Sequence, residues 1–352
     1  MDRNATASPR MAGIDLARAL AMFGMFAVHV SDPWRNPNLL TGLTHGRASV
    51  LFVLVAGVGV SLLSRRHPSA GRRRLLLYAA LLLPIGLALQ VAGHGVSVIL
   101  QHYAAYFVLG AAATFLGKRA LLAAACLWTA FGPVAWFAAA GIDPLVPARD
   151  QADLFTDPLR IAWLVLVAGP YPLVTWGPVL LWGAWIGRLD LADPSVRLRM
   201  AGGGLAVAVA AAAVSSATGA FWGADPADVP AWHTILADGP HAGTIGWLAV
   251  SCGLAAAALA ACLWASERWP AATAPLARAG AMALSLYVLH LAVLVLVPMD
   301  HADPLRGLAA ATLLGTGAVA FAHAWSRRHD RGPLEGWMHR TWEAASGGTP
   351  AR

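Results

Sequence analysis

The chain has 352 residues, 58% of them hydrophobic and 12% charged, where an ordinary soluble domain carries about 25% charge. That balance excludes a protein that keeps a polar surface in water and makes lipid the expected solvent. The formal charge of +7 does not point to nucleic acid, because the Arg residues sit in short loops between apolar runs instead of lining one polar face.

A helix that crosses a bilayer needs about 20 mostly apolar residues, since lipid offers an open backbone no hydrogen-bond partner. In chain order, ten segments meet that need: residues 14–30, 48–64, 75–91, 104–116, 121–140, 171–187, 203–220, 244–265, 281–297 and 308–325. The fourth is short, and 161–168 is a further apolar run too short to cross, expected to be interfacial or re-entrant. The fold class predicted is all-α: a polytopic integral membrane protein with about ten transmembrane helices. It would comprise a tail over 1–13, a single transmembrane domain over 14–325 and a second tail over 326–352. The first run contains Asp15 and Arg18, lacks an A-x-A cleavage site at its end and precedes many further spans, so it is expected to stay as helix one.

Charge orients these spans. With the amino terminus inside, the inner side receives Arg65, Arg66, Arg72, Arg73, Arg74, Lys118, Arg119, Arg188, Arg197, Arg199, Arg268, Arg278, Arg327 and Arg328, and 20 of the 25 Lys and Arg residues in all. Basic residues concentrate on the cytoplasmic side of membrane proteins, so the expectation is a multi-pass protein of a bacterial inner membrane with both termini cytoplasmic. The outer loops hold Asp143, Asp150, Asp153, Asp157, Asp225, Asp228 and Asp238 among Pro and Gly, and read as irregular connections. Trp34, Trp128, Trp176, Trp232 and Trp269 lie near segment ends, where indole favours the headgroup region. Cys126, Cys252 and Cys262 fall inside apolar segments without metal spacing and read as small buried residues. No internal repeat is evident, which counts against an inverted-repeat transporter.

Ionisable groups in hydrocarbon are expensive, so each needs a partner or a task. Asp15 and Arg18 share one face of helix one and are placed to pair; beyond that structural role, Arg18 could face a cytoplasmic opening and help hold an anionic donor. Histidines gather at the other side. His29, His45, His94, His102, His233, His241, His290 and His301 make eight of the twelve in the outer half. A neutral imidazole can take a proton from a hydroxyl or amine nucleophile. A metal site is the rival explanation, but no HxxxH or HExxH spacing occurs. The loop from Ser31 to Arg47, with Asp32, Trp34, Arg35, Asn36, Asn38, Thr41, Thr44 and His45, is the richest polar stretch between two spans and a place to orient a polar acceptor. Gly57 and Gly59, with Ser61 and Ser64, give the second span a small face for close packing.

At these residues the chain resembles a known family. The opening MAGIDLARALAMFGMFAVHV and the following HGRASVLFVLVAGVGVSLLSRR are similar to the first two helices of bacterial relatives of heparan-alpha-glucosaminide N-acetyltransferase. The segments YPLVTWGPVLLWGAWIGRLDL, AGAMALSLYVLHL and RGPLEGWMHR resemble domain of unknown function 418, in the same broad superfamily. The resemblance implies transmembrane acyl transfer from a cytoplasmic acyl-CoA to an acceptor at or beyond the outer half, with an essential His between the first two helices. The relatives' His motif is absent as such; His45, in HGRAS, occupies the neighbouring position, and His29 falls where the relatives tend to carry Asn.

Together these readings give His45 as the expected base, with Arg47 and His29 in support and His29 as the alternative base. Arg18, Arg72, Arg73 and Arg74 are the expected contacts for the CoA phosphates. Trp34, Asn38, His102, Trp176 and His290 are the expected acceptor contacts, and His241, in a long outer loop, is expected to matter little. Direct transfer and a covalent acyl-His intermediate both remain open. The expected partners are the bilayer, acyl-CoA, a sugar or lipid-linked acceptor and a second copy of the chain. A transporter or lipid exporter, and a purely structural membrane protein, are the alternatives.

Overall fold

The computed structural model describes residues 11–31, 39–142, 158–222, 232–297 and 304–347. The regular elements among them are helical. In order they are α1 (Ala12–His29), α2 (Leu39–Thr44), α3 (Arg47–Ser64), α4 (Pro68–Gln90), α5 (Leu100–Ala113), α6 (Lys118–Ile142), α7 (Pro158–Trp163), α8 (Leu173–Ile186), α9 (Pro194–Trp222), α10 (Ile245–Arg268), α11 (Pro270–Gly280), α12 (Ala283–Leu296), α13 (Pro304–Ser326) and α14 (Pro333–Ala345). A π turn, Leu164–Ala168, extends α7.

Seven helices in the described residues are long and apolar enough to cross a membrane, and nine spans result if each of two bent pairs counts as one. The bent pairs are Leu159–Ala168 with Leu173–Ile186, at 60°, and Pro270–Gly280 with Ala283–Leu296, at 67°. The first pair contains the short run at 161–168, and its shape is that of a broken span or a re-entrant loop. The count therefore falls below the ten expected. The shortfall is α5, whose 14 residues rise about 21 Å against a hydrocarbon thickness of about 30 Å.

The centre of the bundle is α1 and α3, each with 67% of its span buried. Gly57 of α3 and Gly183 of α8 bring those two helices together. A Cβ on Gly57 would collide with the Leu180 carbonyl, and one on Gly183 with the Leu54 carbonyl, so only hydrogen fits at this crossing. At the rim, α9 exposes Leu198, Leu205, Val207 and Val209, and α13 exposes Leu308 and Leu313. Rows of exposed Leu and Val along whole helices are costly in water and ordinary in lipid. These helices fit a multi-pass membrane protein.

Two local devices position the interior. The α4–α5 hairpin turns through Gly93 and Gly95, both at positive φ, and Gln90 ties it shut: its Oε1 accepts from Val98 N at 2.7 Å and its Nε2 donates to Val96 O at 3.3 Å. In the same turn Val96 N donates to His94 Nδ1 at 3.1 Å, which leaves Nε2 to donate to Leu89 O at 2.8 Å. The second device joins α12 to α14. Glu335 accepts from the backbone N–H groups of Leu284 (2.8 Å) and Ser285 (3.1 Å) and from the Ser285 hydroxyl. Ser285 Oγ in turn accepts from Leu334 N at 2.9 Å. The orphan donors of α12's first turn are thus satisfied by a carboxylate from another helix. Residues 326–352, expected as a tail, therefore carry a packed helix of the fold.

Candidate functional site

A cavity of about 330 Å³ opens between α3, α4, α5, α12 and α14. Its α3 wall runs from Phe52 to Leu63, about 17 Å at helical rise, a little over half the thickness of a hydrocarbon core. Most of its surface is apolar, from Phe52, Leu63, Leu75, Leu82 and Phe107. Three guanidiniums, of Arg18, Arg74 and Arg331, and the Glu335 carboxylate supply its charge. Arg18 Nη1 donates to Asp15 Oδ1 at 2.6 Å, and Asp15 is 5% exposed. Arg74 Nε donates to the Tyr78 hydroxyl at 2.8 Å. A slender apolar passage with cations on its wall suits an anionic group attached to a thin chain.

Tyr287 connects this cavity to the histidines. It lines the cavity, its hydroxyl accepts from Ile99 N at 3.3 Å, and its ring meets that of His290 with centroids 5.0 Å apart. His290 Nε2 lies 3.0 Å from His29 Nδ1, with the two rings stacked and Phe26 packed against His290 at 4.5 Å. His94 sits in the α4–α5 turn, hydrogen-bonded to Leu89 O. Burial holds its own pKa below the ordinary value, outweighing the hydrogen bond to Leu89 that acts in the other sense.

His45 belongs to a second group. Its ring lies 5.4 Å from that of His241, and His241 is in turn surrounded by Tyr171 (5.6 Å), Trp176 (5.9 Å) and Trp247 (6.3 Å). His102 meets the other side of Tyr171 at 5.6 Å. His241 is the one non-glycine described at positive φ, at 57°, a conformation that costs energy and persists only where the surroundings impose it. Gly46, also at positive φ, backs directly onto it.

The expected site residues thus divide. Arg18 and Arg74 line the cavity. Arg72 does not: its guanidinium lies over the Phe115 ring at 4.2 Å, with Nη1 3.5 Å from Thr114 Oγ1. Arg73 is exposed on the face of α4 away from Leu75 and Ala79. Consecutive residues on a helix point about 100° apart, so three adjacent arginines cannot serve one site. Arg47 Nη1 donates to Gly42 O at 2.6 Å, closing the α2 turn beneath it. Trp176 is 1% exposed, so it belongs to the interior and not to the headgroup belt, whereas Trp232 and Trp269 are exposed. Cys126 is exposed too, unlike Cys262. His241, set aside from the sequence, is in contact with His45. Trp34 and Asn38 lie outside the described residues. Sequence reasoning missed Tyr103, Tyr287, Arg331, Glu335 and Met338. The 335, 338 spacing within RGPLEGWMHR was the available signal for two of them, since residues three apart share a helical face, whereas Arg331 precedes the helix.

Among the described residues, helices of this kind around a largely apolar cavity with three guanidiniums fit an all-helical, multi-pass membrane protein. Residues 185–345 match the model of a family described as "Protein of unknown function (DUF418)", which supports that part of the resemblance. No curated protein matches the chain.

Proposed function

We propose that the protein is a membrane-embedded acyltransferase that moves an acyl group from an acyl-CoA, bound at the basic end of the cavity, to an acceptor at the histidine end. One observation carries this reading: Tyr287 lines the cavity and packs on His290, so the imidazole pair lies one side chain behind the wall of the donor chamber. In the reaction, a hydroxyl or amine of the acceptor attacks the thioester carbonyl carbon. The C–S bond breaks, CoA leaves as the thiolate, and the nucleophile's proton passes to the His29–His290 pair. Arg74 and Arg331 hold the donor's phosphates through charge-assisted hydrogen bonds. The positive-inside rule puts the Arg-rich end in the cytoplasm, where acyl-CoA is found.

His29 with His290 is preferred to His45 as the base, because Tyr287, a residue of the cavity wall, packs on His290, whereas His45 packs on His241. The His45–His241 group, walled by Tyr171, Trp176 and Trp247, suits the flat faces of a polar acceptor such as a sugar. Purified protein given radiolabelled acetyl-CoA and a membrane extract as acceptor source should release CoA and label an extract component. Labelled substrate that crosses vesicles containing the protein with no covalent change would overturn the enzyme in favour of a transporter.

A further inference from the structure

One residue of the cavity wall carries a buried polar atom that has no protein partner among the described residues. Tyr103 of α5 is 4% exposed, it lines the cavity, and its hydroxyl makes no hydrogen bond within the protein. The ring is not free to swing the hydroxyl elsewhere. Phe52, Tyr106 and Phe107 hold it edge-on at centroid distances of 5.8, 5.4 and 5.7 Å. A buried phenol without a partner is costly, and such groups are seldom left empty-handed in native proteins. Arg18 and Tyr287 lie within electrostatic reach of it.

Arg18 completes the picture. Its Nη1 is engaged by Asp15 at 2.6 Å. Its Nη2 extends to α3 beside Gly59, where an added Cβ would lie 3.4 Å from it, and both Arg18 and Gly59 line the cavity. A guanidinium has five N–H donors, so the Asp15 pair leaves donors over while already balancing the cation's charge. That balance selects the ligand atom. A full anion gains less beside a neutralised cation than beside an unpaired one, whereas a carbonyl oxygen needs only oriented donors and draws more from them as negative charge develops on it.

We propose that the Tyr103 hydroxyl and the Arg18 guanidinium form an oxygen-binding subsite that holds the acyl carbonyl oxygen of a thioester ligand. This rests on the acyl-CoA reading and deepens it. Tyr103 and Arg18 would donate to the carbonyl oxygen as the acceptor's nucleophile adds to the carbonyl carbon. They would still donate when the C–S bond breaks and the C=O double bond is restored. Neither residue exchanges a proton, and Asp15 is a positioning residue that fixes the guanidinium.

The test is isotope-edited infrared spectroscopy of acetyl-CoA, labelled with carbon-13 at the carbonyl, bound to the full chain in lipid nanodiscs. The thioester carbonyl band should move to lower frequency on binding to the wild type, and most of that shift should be lost in Tyr103→Phe, which removes one oxygen and keeps the ring. Affinity for acetyl-CoA relative to free CoA should fall about tenfold in the same variant, the size expected for one hydrogen bond to a buried oxygen. The double variant Arg18→Gln with Asp15→Asn, which leaves no orphan carboxylate, should lose the shift as well and serves if Tyr103→Phe does not fold. A bound acetyl-CoA whose carbonyl band matches that in water, or is the same in wild type and variants, overturns this subsite and leaves the donor reading standing. Failure of acetyl-CoA to bind the wild type at all overturns both.

Discussion

His29 Nδ1 and His290 Nε2 face each other at 3.0 Å from helices at opposite ends of the chain, with their ring planes within 11° of parallel. At that distance one nitrogen carries the hydrogen and the other accepts it, so the pair cannot hold two charged rings in this arrangement. A pair of this kind can take up one proton from a nucleophile and pass it on. Replacing His29 with Ala or His290 with Gln should lower acyl transfer by about a hundredfold to ten-thousandfold while acyl-CoA binding survives. His45→Ala should reduce acceptor use more than donor-side exchange. Activity that disappears with His45 and tolerates loss of His29 would move the base to the second histidine group.

The arginines at the start of α4 separate by their geometry. Arg74→Gln should weaken acyl-CoA binding about tenfold to a hundredfold, as expected for loss of a charge-assisted contact, and should reduce its sensitivity to salt. Arg73→Gln should leave binding unchanged, and Arg72→Gln should act only through its packing on Phe115. Titration calorimetry on the three variants reads the difference directly.

At the α3–α8 crossing, Gly183→Val should lower stability by roughly 1–3 kcal/mol or more, because the added carbons meet the Leu54 backbone and the helices must part. Gly202, in α9, has open space around it, so Gly202→Ala should be neutral or slightly stabilising. Thermal unfolding in detergent compares them.

The docking of α14 should depend on pH through His339. Burial, then the charge of Arg331, hold its pKa below the ordinary 6.5, with Glu343 acting the other way and Arg74 in the same sense. A released α14 would bind a proton near pH 6.5, and the docked helix resists it. Docking is therefore complete above about 6.5 and weakens as pH falls below that value. Protection of the α14 amides, taken relative to their intrinsic exchange rates at each pH, should fall between pH 7.5 and pH 5.5, and His339→Gln should remove the fall.

Hydropathy located nearly every long helix, because lipid imposes the same apolar length on each. It was least informative at α5, α8 and α12, each of 14 residues, where a bend or a hairpin replaces length. From sequence the amphipathic α14 reads as a tail for a related reason: its polar face hides the fact that Met338 is 4% exposed and that Glu335 reaches another helix. The histidines were found by composition, but their grouping was not. His29 meets His290 across 261 positions, and such pairings are fixed by packing that no local pattern records. The family resemblance points to His45, whereas Tyr287 of the cavity wall packs on His290, which faces His29.

The Glu335 clasp orders events during synthesis. Leu284 and Ser285 are already in the growing chain when the carboxylate that caps them is still 51 and 50 residues away. Until those residues leave the ribosome, α12 has an uncapped first turn and the chamber lacks the wall made by Arg331, Glu335 and Met338. A nascent chain can thus thread every apolar segment into the bilayer while its cavity stands open to the side. A stop codon placed just before α14 should yield a protein that inserts normally with its cavity open on one side.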